Sequence, residues 1–190
     1  MSAVRLVLLG RQGAGKGTQA VKLSEHYGAP HISTGDMLRS AVEEGTEFGR
    51  QAGEIMDRGD LVPDDVMVGV VTERLAKDDA VASGYLLDGF PRTVAQAEAL
   101  AAMPNGDALQ AVVNIDVPLD EVRTRMQLRA RADDTPEAID RRLALYEAQT
   151  EPLIRFYEER DMLLVVDGLG TVDEIFARLV EAIDRIRPVL

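Results

Sequence analysis

The sequence lacks cysteine altogether, and its acidic residues outnumber its basic ones. Its 190 residues include 21 lysines and arginines against 33 aspartates and glutamates, a formal net charge of −12. The absence of cysteine excludes disulfide bonds and thiolate metal sites, so no structural zinc is expected and a reducing compartment is permitted. The acidic balance argues against general binding to nucleic acid or to an anionic membrane, because both attract basic surfaces. Any anionic ligand must therefore meet a local cluster of positive charge.

The N-terminal region also lacks a long hydrophobic run. The apolar run before Gly10 covers only residues 6–9. Such a run is too short for the core of a signal peptide and far too short to span a bilayer. We expect a soluble, cytoplasmic protein, monomeric, with neither nucleic acid nor membrane as a partner.

Apolar runs alternate with helical patterns along the chain. Strands are predicted at 4–9, 84–88, 111–117 and 162–166, with a shorter candidate at 31–33. Helices are predicted at 16–27, 36–44, 46–58, 64–77, 93–103, 119–130, 136–159 and 171–186. Thr171 and Glu174 form a capping-box pattern at the start of the last helix. Because strands alternate with helices, we expect an α/β fold with a parallel sheet covered by helices on both faces.

Two segments do not fit a plain alternation of strands and helices. Residues 34–62 hold two helices between two strands, more than one crossover needs. Residues 129–135 are a charged break between two helices. Both are candidate mobile lobes around a site at the carboxyl ends of the strands.

The stretch GRQGAGKGTQ, residues 10–19, places four glycines and one lysine directly after an apolar strand. It contains the P-loop core G-x4-G-K, and with the further glycines and the threonine a chance match falls to about one in 10⁵ chains. Backbone N–H groups of such a loop converge on phosphate oxygens at a helix N-terminus, and Lys16 adds positive charge. The alternative is a glycine-rich turn with Lys16 in solvent. The residue directly after Lys16 is Gly17, and the first side-chain hydroxyl is that of Thr18. This position argues against direct Mg²⁺ ligation by Thr18.

Asp88 ends the apolar strand predicted at 84–88. A carboxylate at this place can hold Mg²⁺, directly or through water, beside a P-loop. The alternative is a turn or N-cap aspartate before the next helix.

Arginines crowd one part of this acidic chain. Arg125 and Arg129 share a helical face by their spacing of four residues. So dense a cluster favours anion binding, and the alternative is a solvated face paired with neighbouring carboxylates such as Asp120, Glu121, Asp133 and Asp134. The arginines concerned are Arg123, Arg125, Arg129, Arg131, Arg141 and Arg142.

Five motifs, in this order, resemble those of adenylate kinases. They are GxxGAGKGTQ at 10–19, ISTGDMLR at 32–39, GDLVPDD at 59–65, LLDGFPRTVAQ at 86–96 and RARADD at 129–134. The resemblance covers nearly the whole chain and is to the bacterial form with a short lid. It implies a three-layer P-loop nucleoside-monophosphate kinase fold with a five-stranded parallel sheet. It also implies direct, in-line, Mg²⁺-dependent transfer of the terminal phosphoryl group of ATP to AMP, which gives two ADP.

The resemblance divides the chain and assigns roles to residues. It implies a core of residues 1–32, 63–128 and 136–190, an AMP-binding lobe of residues 33–62 and a short lid of residues 129–135. The residues implied to bind ATP are Gly13, Ala14, Gly15, Lys16, Gly17, Thr18, Arg129 and Gly170. Those implied to bind AMP are Thr34, Arg39, Asp60, Leu61, Val62, Gly89, Phe90, Pro91, Arg92, Gln96, Arg131 and Arg142. Those implied to be catalytic are Lys16, Arg92, Arg129, Arg131 and Arg142.

Within this scheme Gln96 is expected to read the adenine edge, and Asp88 to hold Mg²⁺, most simply through water. An ionised phosphate oxygen needs no general base, so His26 and His31 are expected to be ordinary helix-end and strand residues.

The chain departs from the family at two places. Gln12 stands where the family usually has proline, which bears on the rigidity of the loop. A single residue, Ala130, separates the two lid arginines, and without cysteine so short a lid holds no zinc cluster. We expect the helix to break near Ala130, so that Arg129 can face ATP and Arg131 the transferred group.

Two other functions are open alternatives. A UMP/CMP kinase would share the fold, but Gln96 argues against it. A nucleotide-sensing P-loop protein would not need a second, arginine-lined site with Arg39 and the GFPR motif.

Overall fold

A computed structural model describes residues 3–45, 47–58, 60–104, 106, 108–129 and 135–186. The strands are β1 Val4–Leu9, β2 His31–Ser33, β3 Gly84–Asp88, β4 Ala111–Asp116 and β5 Leu163–Asp167. They form one five-stranded sheet in the order β2-β3-β1-β4-β5, and every neighbouring pair is parallel. The predicted α/β class with a five-stranded parallel sheet is confirmed.

Helices connect the strands. Their bounds are α1 Lys16–Tyr27, α2 Thr34–Glu43, α3 Glu47–Asp57, α4 Asp64–Leu75, α5 Asp78–Ser83, α6 Val94–Ala102, α7 Leu119–Arg129, α8 Pro136–Leu145, α9 Pro152–Glu158 and α10 Val172–Ile186. A π-helical segment, Tyr146–Thr150, joins α8 to α9. Among the helices of the described residues, none has the length and apolar character needed to cross a membrane.

The two faces of β1 belong to two separate hydrophobic layers. Leu6 and Leu8 pack into a layer with residues of α1, α7 and α10. Val7 and Leu9 pack into the opposite layer with residues of α4, α6 and α9. All four side chains are buried, which explains why this strand is an unbroken apolar run and does not alternate with polar residues. Truncating Leu6, Leu8 or Leu9 to alanine would cost about 2–5 kcal/mol.

Local signals in the sequence set several helix ends. Gly28 ends α1 with φ 67°, and its N–H donates to the Ser24 carbonyl, as a left-handed C-cap requires. The capping box at α10 is confirmed. Glu174 N–H donates to Thr171 Oγ1 at 3.3 Å, and Thr171 N–H donates to Glu174 Oε2 at 2.8 Å.

The prediction of one continuous helix at 136–159 is wrong. The chain instead forms α8, the π-helical segment and α9. Pro152 has no N–H, and its ring would clash with the carbonyl four residues earlier in a regular helix. The π-helical turn absorbs this mismatch, with Glu151 N–H donating to the Tyr146 carbonyl at 2.8 Å.

Several other boundaries differ from the prediction, most of them by one or two residues. The helix predicted at 64–77 ends at Leu75, and α5, which was not predicted, follows it and buries Ala80. The strand predicted at 111–117 ends at Asp116, and that predicted at 162–166 lies one residue later. Helix α7 is described as far as Arg129, whereas the expected break near Ala130 lies outside the described residues.

Candidate active site

A cleft of about 740 Å³ lies at the carboxyl ends of β1, β2 and β3. Its volume is in the range typical of small-molecule sites. Many of the residues expected to bind nucleotides line it. They are Gly13, Gly15, Lys16, Gly17, Thr18, Thr34, Arg39, Asp60, Leu61, Val62, Asp88, Gly89, Pro91, Arg92, Gln96, Arg129 and Arg142.

The loop from β1 to α1 needs glycine for steric and conformational reasons. Gly13 has φ 88°, and a Cβ there would lie 2.7 Å from the Val122 carbonyl oxygen of α7. Gly15 has φ 92°, but a Cβ there would meet nothing within 4 Å. The loop therefore packs closely on α7 at Gly13 and leaves open space beside Gly15, where the amides of the α1 N-terminus can receive an anion.

Lys16 folds back over this loop. Its Nζ donates to the carbonyl of Gly10 at 2.8 Å and to that of Arg11 at 3.1 Å. The ammonium group therefore lies above the loop, within the cleft.

Asp88 lies at the end of β3, next to the first turn of α1. A Cβ at Gly17 would lie 3.9 Å from Asp88 Oδ2. Burial alone would raise the pKa of the Asp88 carboxyl, but His31, Lys16 and Arg92 outweigh it and hold this pKa below its usual value. The carboxyl group is therefore ionised at neutral pH and interacts electrostatically with Lys16 of the glycine loop and with Arg92.

His31 is a neighbour of Asp88 that the sequence analysis missed. Its Nε2 lies 3.6 Å from Asp88 Oδ2, too far for a hydrogen bond. This Nε2 is buried and has no hydrogen-bond partner in the described part of the chain. The pairing of β2 with β3 brings the two together, and no local pattern around His31 indicates it.

Arg92 lies beyond Asp88 with further cations around it. Its Nε donates to the Gly89 carbonyl at 2.8 Å. Burial lowers the pKa of the Arg92 guanidinium, Asp88 raises it, and the nearby Arg142 and Arg39 lower it. Three arginines from different elements thus converge in one region of the cleft, an arrangement suited to a phosphate group.

Gln96 is held at both ends of its side-chain amide. Its Oε1 accepts from the Arg92 backbone N–H at 2.7 Å, and its Nε2 donates to Asp64 Oδ1 at 2.6 Å. Thr93 Oγ1 donates to the other oxygen of Asp64 at 3.0 Å. Asp64 and Thr93 were not among the predicted site residues, although GDLVPDD and LLDGFPRTVAQ contain them.

The end of α3 is joined to α8. Asp60 forms an ion pair with Arg141 and accepts from Arg58 Nε at 3.2 Å. Hydrogen bonding from Arg141 holds the pKa of the Asp60 carboxyl below its usual value. Arg142 donates to the Met56 carbonyl at 3.0 Å.

Some predicted residues lie apart from the cleft wall. Ala14 and Phe90 are buried in the core, and Gly170 lies on the loop before α10; among the described residues these three do not line the cleft. Arg123 forms an exposed ion pair with Asp140, as the alternative of a solvated face predicts. Arg125 pairs with Glu121 but also lines the cleft. Arg131, Asp133 and Asp134 lie outside the described residues.

Within the described residues, no group of three or more His, Asp or Glu side chains is placed to hold a metal ion.

This arrangement can hold two phosphate-bearing ligands end to end. One end is a glycine loop with its lysine, the other is a group of three arginines, and Asp88 is electrostatically coupled to both. On this three-layer parallel fold, such a pair of regions defines the class of P-loop nucleoside-monophosphate kinases.

Comparison with known proteins identifies the family within that class. The family model described as adenylate kinase matches residues 8–162. An adenylate kinase of Mycobacteroides abscessus is 50% identical over 184 residues, which cover 96% of this chain and 100% of that protein. An adenylate kinase of Stenotrophomonas maltophilia is 49% identical over 186 residues, which cover 95% of this chain and 99% of that protein. One of Nitrobacter winogradskyi is 50% identical over 184 residues, which cover 90% of this chain and 89% of that protein. The chain belongs to the adenylate kinase family.

Proposed function

We propose that the glycine loop of the cleft binds ATP and that the arginine cluster binds AMP. The reaction is that of the family, the reversible transfer of the terminal phosphoryl group of ATP to AMP, giving two ADP. The observation that carries the proposal is the convergence of Arg39, Arg92 and Arg142 in the same cleft as the P-loop lysine. A protein that only sensed one nucleotide would need the loop but not this second cationic region.

The glycine loop takes the phosphates of ATP. Backbone N–H groups of the loop and of the first turn of α1 surround them, and Lys16 exchanges its two carbonyl partners for phosphate oxygens. Arg129, at the end of α7, faces ATP, and Gly170 meets its base through the backbone. The residues proposed for ATP are Gly13, Ala14, Gly15, Lys16, Gly17, Thr18, Arg129 and Gly170.

The region beyond Asp88 takes AMP. Arg92, Arg39 and Arg142 hold its phosphate, and Gln96 reads its base beside Leu61 and Val62. Helices α2 and α3 form the AMP-binding lobe, and the lid is the segment 129–135, of which 130–134 lie outside the described residues. The residues proposed for AMP are Thr34, Arg39, Asp60, Leu61, Val62, Gly89, Phe90, Pro91, Arg92, Gln96, Arg131 and Arg142.

The chemistry is a direct in-line displacement. An ionised oxygen of the AMP phosphate attacks the γ-phosphorus of ATP, the new O–P bond forms, and the bond to the β,γ-bridging oxygen breaks, so that ADP leaves with the bonding pair. No side chain has to remove a proton or form a covalent bond. Lys16, Arg92, Arg129, Arg131 and Arg142 stabilise the negative charge on the transferred group, and closure of the lobes excludes water.

Mg²⁺ bound with ATP neutralises part of the charge on the β- and γ-phosphates. Asp88 is the residue that would hold it, directly or through water. An ionised carboxylate beside the first turn of α1 fits a hard cation that keeps most of its water ligands.

We also propose that the protein acts as a cytoplasmic monomer on ATP, AMP and ADP, without nucleic acid or membrane as a partner. The formal net charge of −12 supports this.

An acceptor survey tests the proposed function. ADP formation from ATP is followed by a coupled assay with AMP, UMP, CMP or GMP as the acceptor. We expect AMP to have the highest kcat/KM. Preference for UMP or CMP would favour a pyrimidine-nucleotide kinase, and nucleotide binding without transfer would favour a sensor.

A further inference from the structure

The side-chain amide of Gln96 is fixed in one orientation by two different partners. Gln96 is 2% exposed. The Arg92 backbone N–H, which can only donate, faces its Oε1 at 2.7 Å. The Asp64 carboxylate, which can only accept, faces its Nε2 at 2.6 Å. A flipped amide would oppose two donors at the first contact and two acceptors at the second, so both contacts favour the same orientation.

Asp64 is itself held in place. It lies in the first turn of α4, where the helix dipole favours a negative charge. Thr93 Oγ1 donates to its second oxygen at 3.0 Å and accepts from the Gln96 N–H at 3.2 Å. Asp64, Thr93 and Gln96 therefore form a closed network between α4 and α6.

The network leaves part of the amide for a ligand. A side-chain amide has two N–H groups and two acceptor lone pairs, and one of each is used internally. One N–H donor and one acceptor lone pair of the Gln96 amide remain. Their relative positions are fixed because the amide does not flip, and Gln96 lines the cleft.

We propose that Asp64 is a positioning residue that makes the site select a 6-aminopurine over a 6-oxopurine. This inference rests on the proposed role of Gln96 in reading the base. Adenine presents an amino donor at position 6 next to a ring-nitrogen acceptor, which pairs with an amide in one orientation. A 6-oxopurine presents an oxygen acceptor at that position, and only a flipped amide could donate to it. An amide free to flip would accept both bases, whereas the network makes the flip unfavourable.

The test is the ratio of kcat/KM for AMP to kcat/KM for inosine monophosphate, measured with ATP as the donor. The two acceptors differ in the purine at position 6 and in the protonation of the adjacent ring nitrogen. Because both values come from one preparation, the ratio does not depend on the fraction of active protein. Asp64→Asn keeps the size of the side chain and presents either a donor or an acceptor to Gln96.

We expect the ratio to fall about tenfold or more in Asp64→Asn, since the contact at position 64 then no longer favours one orientation of the Gln96 amide. The KM for ATP should stay unchanged. Asp65→Asn is the matched control, because Asp65 is exposed in the same turn of α4; its ratio should equal that of the wild type. Asp64→Glu, which restores an obligate acceptor, should recover part of the discrimination.

Gln96→Leu tests the proposed role of Gln96 separately from that of Asp64. If Gln96→Leu lowers the ratio and Asp64→Asn does not, the inference about Asp64 is overturned while Gln96 keeps its role. If neither variant changes the ratio, the proposed reading of the base by Gln96 is itself wrong. Should Asp64→Asn be inactive with both acceptors, Thr93→Val decides: it removes the hydroxyl that holds Asp64, and an unchanged ratio there rejects the inference.

Discussion

The guanidinium carbon of Arg11 lies 5.3 Å from the centre of the Tyr146 ring. Arg11 belongs to the phosphate-binding loop, and Tyr146 begins the π-helical segment. The carboxylates of Asp116 and Glu151 each lie 4.0 Å from the Arg11 guanidinium. The Arg11 carbonyl is also one of the two acceptors for Lys16 Nζ. A side-chain contact therefore steadies the part of the loop where Gln12 replaces the usual proline.

Arg11→Ala should raise the Kd for ATP about 2- to 30-fold, since a cation–π contact contributes about 0.5–2 kcal/mol. The Kd for AMP should not change. Tyr146→Phe is the control, because it keeps the ring face. Equal ATP affinity in wild type and Arg11→Ala, measured by titration calorimetry, would show that the loop does not depend on Arg11.

Lys16→Ala should lower kcat by about 10²- to 10³-fold, the usual cost of losing one group that stabilises transition-state charge. The fold should survive, because Lys16 contacts loop carbonyls and the cleft instead of the core. Lys22→Ala is the control: Lys22 lies in the same helix but pairs with Asp173 at the surface. A folded Lys16→Ala protein with near-normal turnover would contradict the assignment.

The P-loop could be predicted from the sequence because three local signals coincide: an apolar strand, closely spaced glycines and a helix start. The five motifs and their order along the chain indicated the family. The two contacts around Asp88 and Gln96 could not be predicted in the same way. His31 and Asp88 meet through the pairing of β2 with β3, and Asp64 reaches Gln96 across 32 positions of sequence.

Charge clusters were also ambiguous in the sequence. Arg123 and Arg142 occur in similar surroundings of arginines and carboxylates, yet Arg123 pairs with Asp140 and Arg142 enters the cleft. Which face of a helix meets the site is decided by packing between helices, and spacing along one helix does not determine it.

Arg92→Ala should weaken AMP binding while leaving ATP binding intact. One charge-assisted contact with a phosphate contributes about 1.5–3 kcal/mol, which corresponds to about a 10- to 150-fold rise in the Kd for AMP. The matched control is Arg185→Ala, since Arg185 pairs with Glu181 on the exposed face of α10. A loss confined to ATP affinity in Arg92→Ala would place this arginine in the other half of the cleft.

Gly13 and Gly15 provide a matched pair of stability variants. Both have positive φ, so alanine should cost about 1–2 kcal/mol at either position through backbone strain. At Gly13 the new Cβ would also lie 2.7 Å from the Val122 carbonyl and 2.9 Å from Met126 Cγ, whereas at Gly15 it meets nothing within 4 Å. Gly13→Ala should therefore lower the free energy of unfolding in urea more than Gly15→Ala does. Equal losses would mean that the loop moves away from α7 at little cost.

Two buried tyrosines make the stability depend on alkaline pH. Burial raises the pKa of Tyr146 to about 12 and raises that of Tyr157 further. An unfolded tyrosine loses its proton at about pH 10, so above that pH the unfolded chain binds fewer protons than the folded one. The free energy of unfolding should then fall by up to about 1.4 kcal/mol per pH unit for each tyrosine, with the stabilisation fully present below pH ~10 and lost as the pH rises through the folded value.

Phenylalanine variants isolate this effect from other groups that titrate in the same range. Tyr146→Phe and Tyr157→Phe should each make the decline shallower, and the double variant shallower still, because the unfavourable ionisation has been removed. Urea unfolding from about pH 9 to about pH 11.5 gives the slopes, and tyrosinate absorbance gives the ionisation directly. Parallel curves for the wild type and the double variant would mean that both hydroxyls ionise as freely in the folded protein as in the unfolded chain.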